Sequence, residues 1–255
     1  MSALNVQVER KCYVDDAAAD TIRGLRFSAE SGEFVAIVGP SGSGKTTLLK
    51  IIAGLDRDYE GVITHSEPGR LGFVFQEPRL MPWLSVAQNL RLVRPELDDA
   101  ALAQALARVG LAGRGSEFPL RLSGGMQRRV SLLRAFLIEP RLLLLDEPFI
   151  SLDAPTAESL YELLRELRAE RPPTTLLVTH ELREALALAD RILFVSRSPT
   201  QVILDYPVRL PALRKREDAC VVEAQRELLK QHPELLSGLC GPAVEREDAR
   251  VEPRT

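Results

Sequence analysis

Apolar residues along this chain fall into three kinds of run, and each predicts a different element. Phe34 to Val38, Leu142 to Leu145, Leu176 to Thr179 and Ile192 to Val195 are short and almost continuously apolar, the pattern of strands covered on both faces in a parallel sheet. Leu4, Val6 and Val8 alternate with polar neighbours, and Ile22, Leu25 and Phe27 do so more loosely, which predicts antiparallel strands ahead of the first buried run. From Ser85 to Phe136 strand signals vanish; Ala100, Leu102, Ala103, Leu106, Ala107 and Val109 recur at helical spacing and stop at Gly110 and Gly113. Gly61 to Thr64 and Leu71 to Phe75 read as a hairpin turning at Glu67-Pro68-Gly69.

The expected fold is therefore α/β: a mixed, mostly parallel sheet with antiparallel strands on its N-terminal side and an inserted helical subdomain. Residues 1–84 and 137–210 would form the two parts of the α/β core and residues 85–136 the helical subdomain. A C-terminal helical extension would occupy 211–241, with an amphipathic helix at Glu217 to Gln231, and the polar end at 242–255 is expected to be disordered.

At 255 residues and 45% hydrophobic content the chain can bury a sizeable core without staples. Its formal charge of −3 supplies no electrostatic footprint for a nucleic-acid partner. Cys12, Cys220 and Cys240 are odd in number and widely spaced, as reduced thiols of a cytosolic protein are. No run approaches the ~18 apolar residues of a membrane span, and the N-terminus does not make a signal peptide.

Chemistry enters at Gly39-Pro40-Ser41-Gly42-Ser43-Gly44-Lys45-Thr46, which satisfies GxxxxGK[ST] directly after a buried strand and ahead of a helix through Thr47, Leu48 and Leu49. Glycines let several backbone N–H groups converge on a triphosphate, and the helix start behind them adds positive potential. Lys45 would reach the β- and γ-phosphates and Thr46 would place its hydroxyl on Mg²⁺. Further on, Leu142 to Leu145 ends in Asp146 and Glu147, two carboxylates at a strand tip. Asp146 suits Mg²⁺, and Glu147 could polarise an attacking water. A second anion-binding helix start follows Ser123-Gly124-Gly125. One nucleotide needs one phosphate loop, so this second site suggests a nucleotide held mainly by another subunit.

Together these segments, in this order, resemble the ATPase subunit of an ATP-binding cassette transporter: Gly39 to Thr46 as Walker A of a P-loop NTPase, Asp146 and Glu147 as Walker B, Leu122 to Met126 as the signature. The resemblance spans about Leu4 to Arg209. It implies ATP and Mg²⁺ as ligands, with Gln76 as the Q-loop residue near the metal and water, His180 as the switch histidine on the γ-phosphate, and Ser151-Leu152-Asp153 as a D-loop crossing to the opposite subunit. Thr47 would join the ATP contacts and Tyr13 would stack on adenine. Ser123, Gly124, Gly125 and Asp153 would serve the partner's ATP in a head-to-tail homodimer. Within the family, Gln76 to Val86 and the Met126 variant of the signature resemble the nitrate, sulfonate, taurine and bicarbonate importers. That group implies a peripheral subunit on the cytoplasmic side of the membrane, docked through the Trp83 region to an integral permease, with a solute-binding protein acting indirectly. Three departures stand out: a short stretch from Gly61 to Phe75, a short helical stretch between Leu90 and Ser123, and Arg128 where a second glutamine is common. A cassette serving an exporter or a soluble non-transport assembly is the alternative.

Overall fold

The computed structural model describes residues 2–13, 20–65 and 70–239. The expected turn at Glu67-Pro68-Gly69, Cys240 and the polar end at 242–255 lie outside the described residues. The chain runs through β1 (Ser2–Cys12), β2 (Asp20–Glu30), β3 (Phe34–Val38), α1 (Lys45–Ile52), β4 (Glu60–His65) and β5 (Leu71–Val74). It continues through α2 (Val86–Arg91), α3 (Asp99–Arg108), α4 (Gly124–Phe136), β6 (Leu142–Asp146), α5 (Ala154–Ala169) and β7 (Thr174–Thr179). Last come α6 (Leu182–Leu188), β8 (Arg191–Val195), β9 (Val202–Pro207) and α7 (Ala219–Gln231).

A six-stranded sheet has the order β5-β6-β7-β3-β8-β9 and is parallel except at its β8–β9 edge. The continuous apolar runs are its strands, and alternate residues feed two cores. Phe34, Ala36, Val38, Leu143, Leu145 and Leu177 face the helices α2 to α7. Val35, Ile37, Leu142, Leu144, Leu176 and Val178 face α1 and the second sheet. Each such side chain contributes about 1.5–3 kcal/mol of transfer free energy, so strand tips, where the site residues stand, are firmly held. The second sheet, order β2-β1-β4, is antiparallel and buries Leu4, Val6, Val8, Ile22 and Leu25 on the same core.

The hairpin expected from 61–75 does not form. β4 pairs with β1 in the antiparallel sheet and β5 pairs with β6 in the parallel one. Both strands exist in different sheets: Ile63, Leu71 and Phe73 pack against the core between the sheets, and Val74 sits on the helical side of the large sheet.

Helix boundaries follow their caps. Ser85 and Gln88 form a reciprocal capping box at α2, Asp98 caps α3, and Gly110 closes the following turn at φ 71°. The helical stretch shares one core with the sheet, since Val86, Leu90, Leu106, Val109 and Val130 join Phe34 and Leu143. Beyond β9, α7 lies along α6 and starts at Ala219, two residues later than its periodicity suggests. Arg183 Nε of α6 donates to Gln225 Oε1 at 2.5 Å. The arm then closes back on the phosphate loop, where a side chain on Gly238 would meet Arg197 N at 2.7 Å and Pro40 Cγ at 3.1 Å.

Candidate active site

The phosphate loop is a backbone cradle between β3 and α1. Gly42 and Gly44 have φ of 75° and 95°, conformations that only glycine adopts without strain. Close packing reinforces this, because a Cβ on Gly44 would lie 2.6 Å from Thr200 Oγ1 and one on Gly39 would lie 2.5 Å from Val195 Cγ2. Thr200, fully buried, sets its hydroxyl between the carbonyls of Thr21 (2.9 Å) and Ser43, with one proton to give to either, and pins the loop from behind. Lys45 Nζ fills the cradle, donating to Gly39 O (2.9 Å), Pro40 O (2.7 Å) and Ser43 Oγ (3.3 Å). Burial pulls the Lys45 ammonium below its usual range, and the charges of Glu147 and Asp146 oppose that shift. Ser41 and Gly42 form the exposed rim.

Parallel pairing of β6 with β7 brings the carboxylates to this loop and sets His180 beside them. Thr46 Oγ1 donates to Asp146 Oδ1 at 2.9 Å. Burial raises the Asp146 carboxyl above its ordinary range; the Thr46 hydrogen bond opposes the rise and the neighbouring Glu147 charge adds to it. His180 Nδ1 lies 3.2 Å from Glu147 Oε2. Glu147 itself has φ 43°, and Ser151 has φ 61°. Two left-handed non-glycine residues within five positions cost about 1–3 kcal/mol each and persist only where surrounding contacts dictate them.

The Asp146 carboxylate and Thr46 hydroxyl set two hard oxygens side by side, the donor type that Mg²⁺ takes. No group of three or more His, Cys, Asp or Glu side chains that could hold a metal occurs among the described residues. A metal here would thus complete its shell with phosphate oxygens and water, as Mg²⁺ does beside nucleotides.

Gln76 leaves the end of β5 with an exposed side chain, while its carbonyl accepts from Arg128 Nη1 at 3.0 Å. Arg128 also donates to Pro148 O (2.5 Å) and Ile150 O (2.8 Å), and Arg134, farther along α4, holds Pro78 O and Arg79 O at 3.1 and 3.0 Å. These two arginines were the residues least visible in the sequence, because their acceptors are backbone carbonyls that any residue offers. Asn89 is another. Completely buried, it accepts from Met81 N at 2.7 Å, and its amide nitrogen, with two protons to give, lies 3.1 Å from each of the carbonyls of Met81, Leu84 and Ser85. It thereby shapes the turn that presents Trp83 at 70% exposure, which rules out core packing for this tryptophan. Backbone bonds from Val86 N to Glu117 O and from Ala87 N to Gly115 O set the turn beside exposed Phe118 and Leu120.

The remaining expected residues stand apart from the Lys45–Glu147 cluster. Ser123 caps α4 through Met126 N, Gly124 is exposed, and Gly125 packs on α5, where a Cβ would lie 2.7 Å from Thr156 Cγ2. Asp153 caps α5, accepting from Thr156 N and Thr156 Oγ1, each at 2.9 Å. None of them is hydrogen-bonded to the phosphate loop. Tyr13 stands at the loop's other side, its hydroxyl 3.0 Å from Thr47 Oγ1 and its ring 4.7 Å from Lys11 Nζ.

Residues 22–150 match the ABC transporter family. The aliphatic sulfonates import ATP-binding protein SsuB 1 of Pseudomonas syringae pv. syringae is 42% identical over 231 residues, which cover 90% of this chain and 96% of that protein. The chain belongs to the ABC transporter family. A second relative of this cassette, the aliphatic sulfonates import ATP-binding protein SsuB 2 of Rhizobium johnstonii, is 45% identical over 84% of this chain and 86% of that one. Among solved structures, a dimeric ATP-binding cassette in a post-hydrolysis state with ADP and Pi superposes with TM-score 0.70 and 29% identity, covering 82% of this chain and all of that one. The cassette is an ATPase, as its motifs imply. Its mixed sheet with flanking helices is the expected P-loop NTPase fold.

Proposed function

We propose that this cassette hydrolyses ATP to drive an importer of small anionic solutes, with sulfonates, nitrate and taurine as the candidate class. Two relatives named for aliphatic sulfonate import support the solute class. The observation that carries the ATPase reading is the cluster at the ends of three adjacent strands, where Thr46 bonds Asp146, His180 lies against Glu147, and the Lys45 ammonium fills the phosphate loop beside the two carboxylates.

Amides of Gly39 to Lys45, with Pro40, Ser41 and Ser43 shaping their curve, wrap the β- and γ-phosphates, and Lys45 exchanges its carbonyl partners for phosphate oxygens. Thr46, Asp146 and Gln76 would hold Mg²⁺, which would supply positive charge against that developing on the phosphates. Glu147 accepts the proton of the attacking water, and His180, already paired to Glu147, orients that water on the γ-phosphate. Thr47 contacts the phosphates and Tyr13 covers the adenine ring. Ser123, Gly124, Gly125 and Asp153 of a second copy complete the site, because within one chain they have no bond to it. Two ATPs are thus enclosed in a head-to-tail homodimer, and its closing and reopening would work the permease.

The apolar turn at Trp83, Phe118 and Leu120 is the permease contact, a rare use of exposed aromatic surface on a soluble face. No described helix is long and apolar enough to cross a membrane, so the cassette would sit peripherally on the cytoplasmic side of the membrane while the permease spans it. A solute-binding protein acts only through that permease, and nucleic acid has no part in the cycle. In Glu147→Gln, ATP binding should survive while turnover falls ~10²–10⁴-fold, the usual loss on removing a positioned base. Near-normal turnover would refute the role of Glu147. Copurification of a multispanning permease from detergent extracts tests the importer reading, and recovery of the cassette alone would count against it.

A further inference from the structure

Arg128 ties together two catalytic loops, the one that follows β5 and the 147–151 turn that follows β6. Its guanidinium donates to Gln76 O at the end of β5, to Pro148 O just past Glu147, and to Ile150 O just before Ser151. The last two acceptors lie between the two left-handed residues, Glu147 and Ser151. No carboxylate pairs with Arg128 among the described residues; carbonyl oxygens alone answer its charge.

We propose that Arg128 is the positioning residue of the hydrolytic step: it holds the 147–151 turn in its strained form, so that the Glu147 carboxylate faces the attacking water, and it locks Gln76 to the same frame. The proposal rests on the reading of Glu147 as the base. A planar fork with donors on both terminal nitrogens can span acceptors on separate loops. A glutamine at this place carries one NH₂ and can satisfy two of the three carbonyls at most, and lysine concentrates its donors on one atom. Arg134 anchors the next part of the Gln76 loop through Pro78 and Arg79, so the loop keeps its path when Arg128 is removed and only its registration with Glu147 is lost.

The test is a double-mutant cycle on the full chain. Arg128→Ala should lower kcat about 10–10²-fold, as expected for a misplaced reacting group, with ATP affinity held within ~2-fold because the phosphate loop makes no contact with Arg128. Arg128→Lys and Arg128→Gln should fall between Ala and wild type. In a Glu147→Gln background, Arg128→Ala should change the single-turnover rate by less than ~2-fold, since the group it positions is already gone. Multiplicative losses in the double variant, or a kcat loss matched by an equal loss of ATP affinity, overturn the role of Arg128. Near-normal turnover in Glu147→Gln alone overturns instead the base assignment on which the proposal stands. If Arg128→Ala lacks a cooperative thermal transition, Arg128→Gln carries the same cycle with the same criteria.

Discussion

Two helix starts in this molecule are built for anions, and they differ in how completely the chain satisfies them. At α1 the loop is held from within and behind: Ser43 and Lys45 are buried, Thr200 holds the loop's back, and Lys45 occupies the cradle. At α4 a capping serine, where α1 has Gly44 as its cap, is followed by two glycines, with Ser123 and Gly124 exposed and no bond to the first site. A single chain therefore supplies a finished phosphate cradle and an unfinished one. The difference supports the proposal that a second copy brings its α4 start to the γ-phosphate held by Lys45.

Substitutions can separate the two starts. The largest effect is expected for Ser123→Arg, which should leave ATP binding to the isolated chain intact yet cut turnover ~10²–10³-fold, the usual loss of a donor aimed at developing charge. Lys45→Ala should act differently, weakening ATP binding about 10–10²-fold through loss of charge-assisted hydrogen bonds worth ~1.5–3 kcal/mol. Equilibrium binding of a fluorescent ATP analogue beside steady-state turnover distinguishes the two, and equal effects on both quantities in both variants would erase the contrast.

Glycine replacements sharpen it on the stability side. Gly44→Ala places a Cβ at φ 95° and 2.6 Å from Thr200 Oγ1, so it should cost about 1–3 kcal/mol of folding free energy. Gly124→Ala meets nothing within 4 Å and lies at a helix start, so it should leave stability unchanged or raise it by less than ~1 kcal/mol while slowing turnover. Denaturant midpoints measure both. A large drop for Gly124→Ala would mean that the α4 start is already packed within one chain.

A pH dependence bears on the frame of the finished half. Glu184, one turn beyond His180, is buried against the Tyr161 hydroxyl (2.8 Å), with Thr179 also bonded to it and Arg216 and Glu181 nearby. Burial raises its carboxyl above the ordinary range, against the pull of Thr179, Tyr161 and Arg216. The folded state then holds the proton more tightly than the unfolded one. The associated stability is fully present below the unfolded pKa and is lost as pH rises through the folded value. Thermal midpoints of Glu184→Gln should lack this downward slope; an identical slope in both proteins would contradict it.

Much of the cis half was legible because contiguous side chains encode it: the buried strand, GxxxxGK[ST], and a strand ending in Asp146-Glu147. The signature start was legible for the same reason, through Ser123 and its glycines. Strand partners were not. Gly61 to Thr64 and Leu71 to Phe75 look like a hairpin because they are close in sequence, yet β4 pairs with β1 and β5 with β6, and pairing across distant segments leaves no local mark. Arg128 registered only as a departure from the family pattern, since three carbonyl acceptors on two loops have no side-chain signature. Asn89 has no sequence signature either, although its burial shapes the Trp83 turn.

The claim that the site is shared between two copies is tested most directly by turnover per molecule on dilution, read together with the sedimenting species. The account predicts activity that falls faster than concentration as a dimer dissociates, and partial recovery when Lys45→Ala and Ser123→Arg are mixed, because one composite site then keeps both residues intact. Activity per molecule that stays constant on dilution, carried by a species sedimenting as a monomer, would contradict it.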